Sequence, residues 1–503
     1  MDNNVLNFPI LSVVVFAPLL GVPIILLLQR HRHGAIKWTA LVVSVITFLL
    51  SLIVVFNFNS GDHNIQFVER VRWIEVWGID YFVGVDGISI WLLMLTTLIS
   101  PIAIVSSFTA IEERVKEYYL FMLLMQTAMT GVFVALDMFL FYVFWEFTLV
   151  PMYFLIGIWG GPRRVYAAIK FFLYTMAGSI VMLLAILYLG LQGGTFAVPD
   201  LIVQNARWVG TGAEVWLFLA FAAAFAIKVP LWPFHSWLPD AHVEAPTAGS
   251  IILAGILLKM GTYGLVRFNL PLFPEAARDM APVMAVLAII GIIYGAIVSF
   301  AQTDVKKLVA YSSVSHLGFV VLGIFALNSQ GIQGGILQMV NHGLSTGALF
   351  LLVGVLYERR HTRDMAKFGG IWKLMPLYGT ITLIVALSSM GLPGLNGFVG
   401  EFVILQGAFA ANWVWAAFAA IGVILAAIYI LTMFQKLFLG KSRDPENEQL
   451  AQKPLRWHEL VALVPLVALI FLIGLYPNPF FKMMDSAVSQ VLTIVGGTAV
   501  ALW

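Results

Sequence analysis

Four ionisable side chains, Glu146, Lys228, Lys259 and Glu401, stand in stretches of sequence that are otherwise apolar. Carboxylates and amines placed this way can take up and release protons. The chain has no cysteine, which excludes disulfides and thiolate-held iron–sulfur or zinc centres, so any electron transfer is expected to happen elsewhere. Three histidines, His235, His316 and His342, lie on or beside the same stretches, and imidazole exchanges protons near neutral pH, which suits a relay between lysines. No two of them show the short helical spacing of metal ligands, so no metal site is expected. Lys170 follows the Arg163-Arg164 pair near a helix end, where it either feeds protons inward or anchors the helix among lipids.

Each of these residues also has a purely structural reading. Glu146 can tie its helix to a neighbour, the lysines can extend to an interface, and a lone helix histidine is more often a packing residue. His235 can brace the break at Pro233. The hydroxyls of Tyr311-Ser-Ser-Val-Ser315 either line a wet path or join helices. Energetics favour function for the four charges: an ionised group at the bilayer centre costs about 2.5–3.5 kcal/mol on insertion scales, so it persists where it faces a bundle interior, pairs or acts.

The elements that must position them are membrane helices. Of 503 residues, 61% are hydrophobic and 11% charged, and the mean hydropathy is +0.94. Apolar segments fall near 10–28, 36–57, 88–108, 118–136, 138–158, 166–191, 214–234, 246–266, 281–301, 308–327, 332–356, 376–410, 415–439 and 459–477, about fourteen spans by the usual length rule. The expected fold class is an all-α polytopic membrane protein embedded in a lipid bilayer. The stretch from Phe480 to Trp503 carries Lys482, Asp485 and Gly496-Gly497 and reads as an interfacial or loosely packed tail, with a further span left open. Asp2 stands where a secretory leader would carry positive charge and no small-residue cleavage site follows, so the first helix is expected to stay.

Basic residues set the orientation. Arg30, Arg32, Lys37, Arg114, Lys116, Arg163, Arg164, Lys170, Lys306, Lys307 and the Arg359–Lys373 and Lys436–Arg456 loops fall on alternate connections, about twenty against about six on the others. That face is expected to be cytoplasmic and both termini to lie outside, in a bacterial inner membrane as the simplest home. A net charge of +2 without a basic, aromatic-studded patch gives no reason to expect a nucleic-acid partner, and no Gly-rich phosphate loop is present.

Two helices are expected to be broken. Lys228-Val-Pro230-Leu-Trp-Pro233-Phe-His235 places prolines after a buried lysine, and Gly391-Leu-Pro393-Gly394-Leu-Asn-Gly397 precedes Glu401. Breaks at matching places suggest a five-helix unit used twice, a transporter arrangement in which freed backbone groups face a moving ion or water chain; close helix packing is the alternative for the glycines.

The segment Lys228-Val-Pro-Leu-Trp-Pro-Phe-His-Ser-Trp-Leu-Pro-Asp-Ala-His242, with Glu244-Ala-Pro-Thr-Ala-Gly-Ser250, Leu257-Leu-Lys259, Gly84-Val-Asp-Gly-Ile88, Phe144-Trp-Glu146 and Ser315-His-Leu-Gly318, resembles the antiporter-like subunits of respiratory complex I, a family shared with multisubunit cation/proton antiporters and membrane-bound hydrogenases. Glutamate in Gly397-Phe-Val-Gly-Glu401-Phe resembles the subunit M, or chain 4, branch, where the other branches usually carry lysine. The resemblance implies a proton-translocating membrane-arm subunit of an NADH:quinone oxidoreductase. It implies Glu146 as the carboxylate that couples to a neighbour and modulates Lys228, Lys228 as the central proton-holding amine, Lys259 and His316 as the midplane connection, and Glu401 as the terminal group. It implies inverted five-helix repeats at 111–270 and 271–440 between helices at 1–110 and a C-terminal helix and tail at 441–503. NADH, FMN, iron–sulfur clusters and quinone would be bound by other subunits, and the two paralogous antiporter-like subunits would be partners. A subunit of a Na⁺/H⁺ antiporter or a membrane-bound hydrogenase is the alternative reading.

Overall fold

The computed structural model describes residues 8–496. Among them, ten helices are long and apolar enough to cross a membrane, and the shorter apolar helices Ile90–Ser106 and Pro376–Ser389 accompany them. Their burial sorts them into layers. In Thr247–Leu272 and Ser329–Arg360 the most apolar window is 100% buried inside the protein, and in Val305–Phe325 94%, against 28% in His33–Phe56 and 33% in Trp413–Phe438. The first three form the centre and the others face outward, where Leu27, Leu49, Leu173 and Ile424 stand exposed. An exposed apolar coat over a core that holds lysine, histidine and glutamate fits lipid as the surrounding solvent.

Both expected breaks are present. The helix Gly212–Lys228 stops at Lys228, an irregular turn follows, and the short helix Trp237–Glu244 resumes. Pro230 and Pro233 cannot donate to the helical ladder. In the second break Pro376–Ser389 ends, Gly391 and Gly394 take left-handed φ of +81° and +91°, and Asn396–Ala411 resumes. Only glycine adopts such angles at no steric cost. A milder pause separates Met138–Phe147 from Leu149–Trp159 at Thr148, three residues before Pro151, whose missing N–H leaves the turn after Glu146 short of a hydrogen bond.

Three features differ from the sequence expectation. The stretch read as one regular helix, 246–266, contains the π-helical segment Leu253–Leu257, and a second, Leu265–Asn269, follows it, so the helix is widened on either side of Lys259. The polar break before Ile90 folds as an antiparallel hairpin, Gln66–Ile74 with Ile79–Val85, turning at Gly78 with φ +67°. Glu69 of this hairpin accepts the Leu11 amide at 2.8 Å, and Arg70 bonds Asp80 at 2.7 Å. The tail from Asn478 to Val495 is a helix whose Phe480, Met484, Ala487, Val488, Val491 and Val495 recur at helical spacing and are buried. Residues 1–7 and 497–503, and with them the expected outward termini and the last part of the tail, lie outside the described residues.

Close approach of backbone fixes the first break. A Cβ on Gly261 would stand 2.7 Å from the Phe225 carbonyl and 2.9 Å from the Val229 amide, so the lysine-bearing ends of two helices meet where only glycine fits. Gly261→Ala should therefore lower stability by about 1–3 kcal/mol, the usual cost of overpacking. The check is a lower thermal midpoint of the detergent-solubilised assembly; an unchanged midpoint would mean that these helices can part freely.

Candidate proton path

The central helices bring four predicted residues into one buried line. Lys259, fully buried, directs its Nζ to His342 Nδ1 at 2.6 Å and to the Ala254 carbonyl within the widened π turn. The His342 and His316 rings are 5.9 Å apart. His316 Nδ1 is 2.7 Å from Glu401 Oε1, and its Nε2 is 3.0 Å from the Tyr429 hydroxyl. Gln338 donates to the same glutamate oxygen at 3.1 Å, while Glu401 Oε2 has no hydrogen-bond partner. Between the two histidines lies a polar cavity of about 10 Å³ lined by His316, His342, Ser345, Ser388 and Asn341. A cavity of that size has room for about one water, so the step between rings too far apart for a direct bond can be bridged.

A second group sits at the first break. Lys228 is fully buried, its Nζ has no hydrogen-bond partner, and it rests over the Trp145 ring at 5.1 Å and the Phe171 ring at 5.7 Å. Aromatic faces attract an ammonium without fixing a proton, so this amine is held loosely in chemical terms and firmly in position. Glu146, one residue from Trp145, interacts electrostatically with Lys228 and lies beside Ser179. The carboxylate and amine thus sense each other across two helices.

The remaining predicted residues form a third group away from the line. Lys170 pairs with Asp240 at 2.7 Å, a carboxylate it shares with Arg163 at 3.2 Å. His235 stacks edge-on against Tyr294 at 5.0 Å, and its Nδ1 has no partner. Lys170 also acts electrostatically on His235. Of the expected wet stretch, Ser315 donates to the Ile292 carbonyl of the preceding helix at 2.8 Å and so joins two helices, while Ser312 donates to the Val309 carbonyl of its own helix.

Several residues of this interior were not singled out from sequence. His242 is fully buried with both ring nitrogens unpartnered, stacked on Phe350 at 4.4 Å. Its signal was present, since it closes the same Lys228–His242 segment. Gln338, Asn341, Ser345 and Ser388 line the small cavity, and polar residues at helical spacing on the 329–360 helix mark that face. Among the described residues, no group of three or more histidine, aspartate or glutamate side chains is arranged to hold a metal ion.

A polytopic helical bundle with two broken helices and a line of hydrogen-bonded lysine, histidine and glutamate is the architecture of a proton-conducting membrane subunit. The family model described as "NADH:quinone oxidoreductase/Mrp antiporter, TM" matches residues 135–428. The NADH-quinone oxidoreductase subunit M of Rhodobacter capsulatus is 44% identical over 497 residues, covering 96% of this chain and 96% of that protein. A chain in the respiratory complex I of Thermus thermophilus with bound NADH superposes with a TM-score of 0.87 at 32% identity, covering 97% of this chain and 100% of that one. A chain of the Mrp complex from Dietzia sp. DQ12-45-1b shares the fold, with a TM-score of 0.80 at 24% identity over 97% of this chain and 51% of that one. The chain belongs to the NADH-quinone oxidoreductase subunit M family.

The Lys259–His342 contact can be tested by stability alone. His342→Leu strands a buried amine and should cost about 1–3 kcal/mol, as an orphaned buried donor does. Adding Lys259→Met removes the orphan, so the double variant should regain most of the lost thermal midpoint; equal midpoints for the single and double variants would show that the pair is not coupled.

Proposed function

We propose that this chain is a proton-translocating membrane-arm subunit of an NADH:quinone oxidoreductase, moving protons along its buried glutamate, lysine and histidine groups while NADH oxidation and quinone reduction take place in other subunits. The observation that carries this reading is the line Lys259–His342–His316–Glu401, joined by hydrogen bonds of 2.6 and 2.7 Å at its ends. FMN, the iron–sulfur clusters, NADH and quinone belong to those other subunits, and this chain, which has no cysteine, carries no redox centre. Its neighbours in the membrane arm are the two paralogous antiporter-like subunits. The membrane is a bacterial inner membrane, with the basic loops inside and both termini outside. The repeats are the five-helix units 111–270 and 271–440, supported by the placement of one helix break in each.

Glu146 receives the coupling signal from a neighbouring subunit. When its charge moves toward Lys228 the amine binds its proton more tightly, and when it moves away the proton is released toward Lys259. Each tenfold change in proton affinity is worth about 1.4 kcal/mol, and one charge crossing 100 mV costs about 2.3 kcal/mol. Gaining or losing one close partner in a poorly solvated site is of that size. His342 and His316 carry the proton along the midplane, and Glu401 hands it outward. His235 and Lys170 play auxiliary parts near the first break. The alternative, a Na⁺/H⁺ antiporter or hydrogenase subunit, is not favoured: likeness to the Mrp complex at 24% identity concerns the fold, whereas relatives at 41–44% identity are named subunit M or chain 4.

The experiment is NADH-driven, quinone-dependent proton uptake in inverted membrane vesicles, measured beside the amount of assembled complex. Glu146→Ala and Lys228→Ala should abolish uptake with assembly intact, and Glu401→Gln, which keeps a hydrogen-bonding side chain for His316, should do the same. Normal uptake in Glu401→Gln would remove that residue from the path, and loss of assembly in all three would leave them with a packing role only.

A further inference from the structure

The helix Trp413–Phe438 belongs to the outward layer, and its Ile424, Ile428 and Leu431 are exposed. Between Trp415 and Thr432 it carries one side chain able to form a hydrogen bond, Tyr429. Tyr429 falls on the inward face with Ala426, Ile430 and Met433 and is fully buried. Gly422 on the same face lets the helix close in, because a Cβ there would collide with Ile292 of a neighbouring helix. A buried phenol costs free energy unless its hydroxyl is bonded, and the partner it finds is His316 Nε2 at 3.0 Å.

That bond completes His316. Its Nδ1 faces Glu401 Oε1 at 2.7 Å, so both ring nitrogens are engaged, whereas Lys228, His342 and Glu401 each keep an atom without a partner. The protons can be assigned. Glu401 Oε1 already accepts the Gln338 amide at 3.1 Å, and an oxygen that receives donors is one toward which Nδ1 points its N–H. A neutral imidazole protonated at Nδ1 has its lone pair on Nε2, so the Tyr429 hydroxyl is the donor there. A proton arriving from the cavity shared with His342 therefore meets a ring with no open nitrogen. A second acceptor stands beside the phenol. Ser312 interacts with Tyr429, and because its own proton is given to the Val309 carbonyl at 2.8 Å, its oxygen has lone pairs to offer.

We propose that Tyr429 is a positioning residue that closes His316 Nε2 to the midplane and opens it by turning its hydroxyl to Ser312. With the hydroxyl on Nε2, His316 takes up no proton from the His342 side, and Glu401 is isolated from the rest of the line. With the hydroxyl on Ser312, the Nε2 lone pair is free. A proton from the cavity then bonds to Nε2, the Nδ1–H bond breaks as its proton passes to Glu401 Oε1, and the ring is neutral again with its proton on Nε2. One proton enters and one leaves, and the phenol keeps its own throughout. The new Nε2–H donates to the Tyr429 oxygen, so the same contact closes behind the transferred proton. Once Glu401 has released its proton outward, reversal of the ring tautomer restores the first arrangement. The inference rests on the proton-path reading above and adds the control of its last internal step.

The whole complex reconstituted in liposomes gives two readouts: protons moved per NADH oxidised, and passive proton flux down an imposed pH gradient without NADH. Tyr429→Phe keeps the ring and removes the closure, so passive flux should rise about three- to tenfold, the weight of one hydrogen bond, and protons moved per NADH should fall. Ser312→Ala removes the open position, so pumping should fall with no added flux. A packing role of either residue would not give these two signatures. The double variant should leak as Tyr429→Phe does, because Ser312 acts through the phenol. Unchanged flux in assembled Tyr429→Phe would overturn the proposal, whether pumping is normal or, with the hydroxyl as an obligatory carrier, lost. If Tyr429→Phe fails to assemble, Ser312→Ala decides, and normal pumping there overturns the proposal. Adding Glu401→Gln to Tyr429→Phe should abolish the added flux; flux that survives it would show protons bypassing the line and would remove the underlying reading. If Tyr429→Phe changes nothing while Glu401→Gln alone abolishes pumping, the closure falls and the path stands.

Discussion

Hydrocarbon offers no hydrogen bonds, so a polar group buried in this protein costs free energy unless it finds its partner within the chain. That constraint orders the whole interior. The irregular turns after Lys228 and Ser389 each run from buried residues, Leu231 and Leu395, to exposed ones, Phe234 and Leu392, so each break is covered by neighbouring helices on one side only. Glu401 lies just beyond the second break, where His316 and Gln338 meet one of its oxygens. Elsewhere the same requirement is met by ion pairs, such as Asp86–Arg267 at 2.6 Å and Arg359–Glu459 at 2.7 Å.

The buried groups fall into two chemical kinds. Asp86 with Arg267, and Arg359 with Glu459, are saturated: each charge has its counter-charge and further donors or acceptors, and such pairs hold structure. Lys228, His242, one nitrogen of His342 and one oxygen of Glu401 are unsaturated, each with an atom that has no partner. Glu146 and His235 also hold an atom without a partner, whereas Lys259 and both nitrogens of His316 are hydrogen-bonded, so the residues proposed for the path include both kinds. What sets them apart from the saturated pairs is that none is ion-paired to an arginine.

Much of this was legible in the sequence, for reasons that can be named. The spans follow from apolar runs, the breaks from Pro230, Pro233 and Pro393 with their neighbouring glycines, and Glu146, Lys228, Lys259 and Glu401 from their isolation among apolar neighbours. The contacts were not legible, because they depend on how distant helices rotate against each other: Lys259 meets His342 across 83 residues and His316 meets Glu401 across 85. Lys306 carried an orientation signal in sequence, as one more basic loop residue, and only packing shows that its amine turns inward to Ala245. The π turns around Lys259 have no local proline or turn motif to announce them. The hairpin at 66–85 was hidden because its alternating pattern is short and lies in a polar break.

The helix Asn478–Val495 packs over the entry to the helix Ile90–Ser106. Phe480 packs on Trp91 at 4.4 Å, the backbone of Met483 leaves no space for a Cβ on Gly87, and Ser486 reaches the Ser60 carbonyl across 426 residues of sequence. A ribosome makes this helix long after the segment it packs against. During synthesis the early residues around Gly87 and Trp91 therefore wait with their groove open, and this contact forms only after the intervening helices have been made.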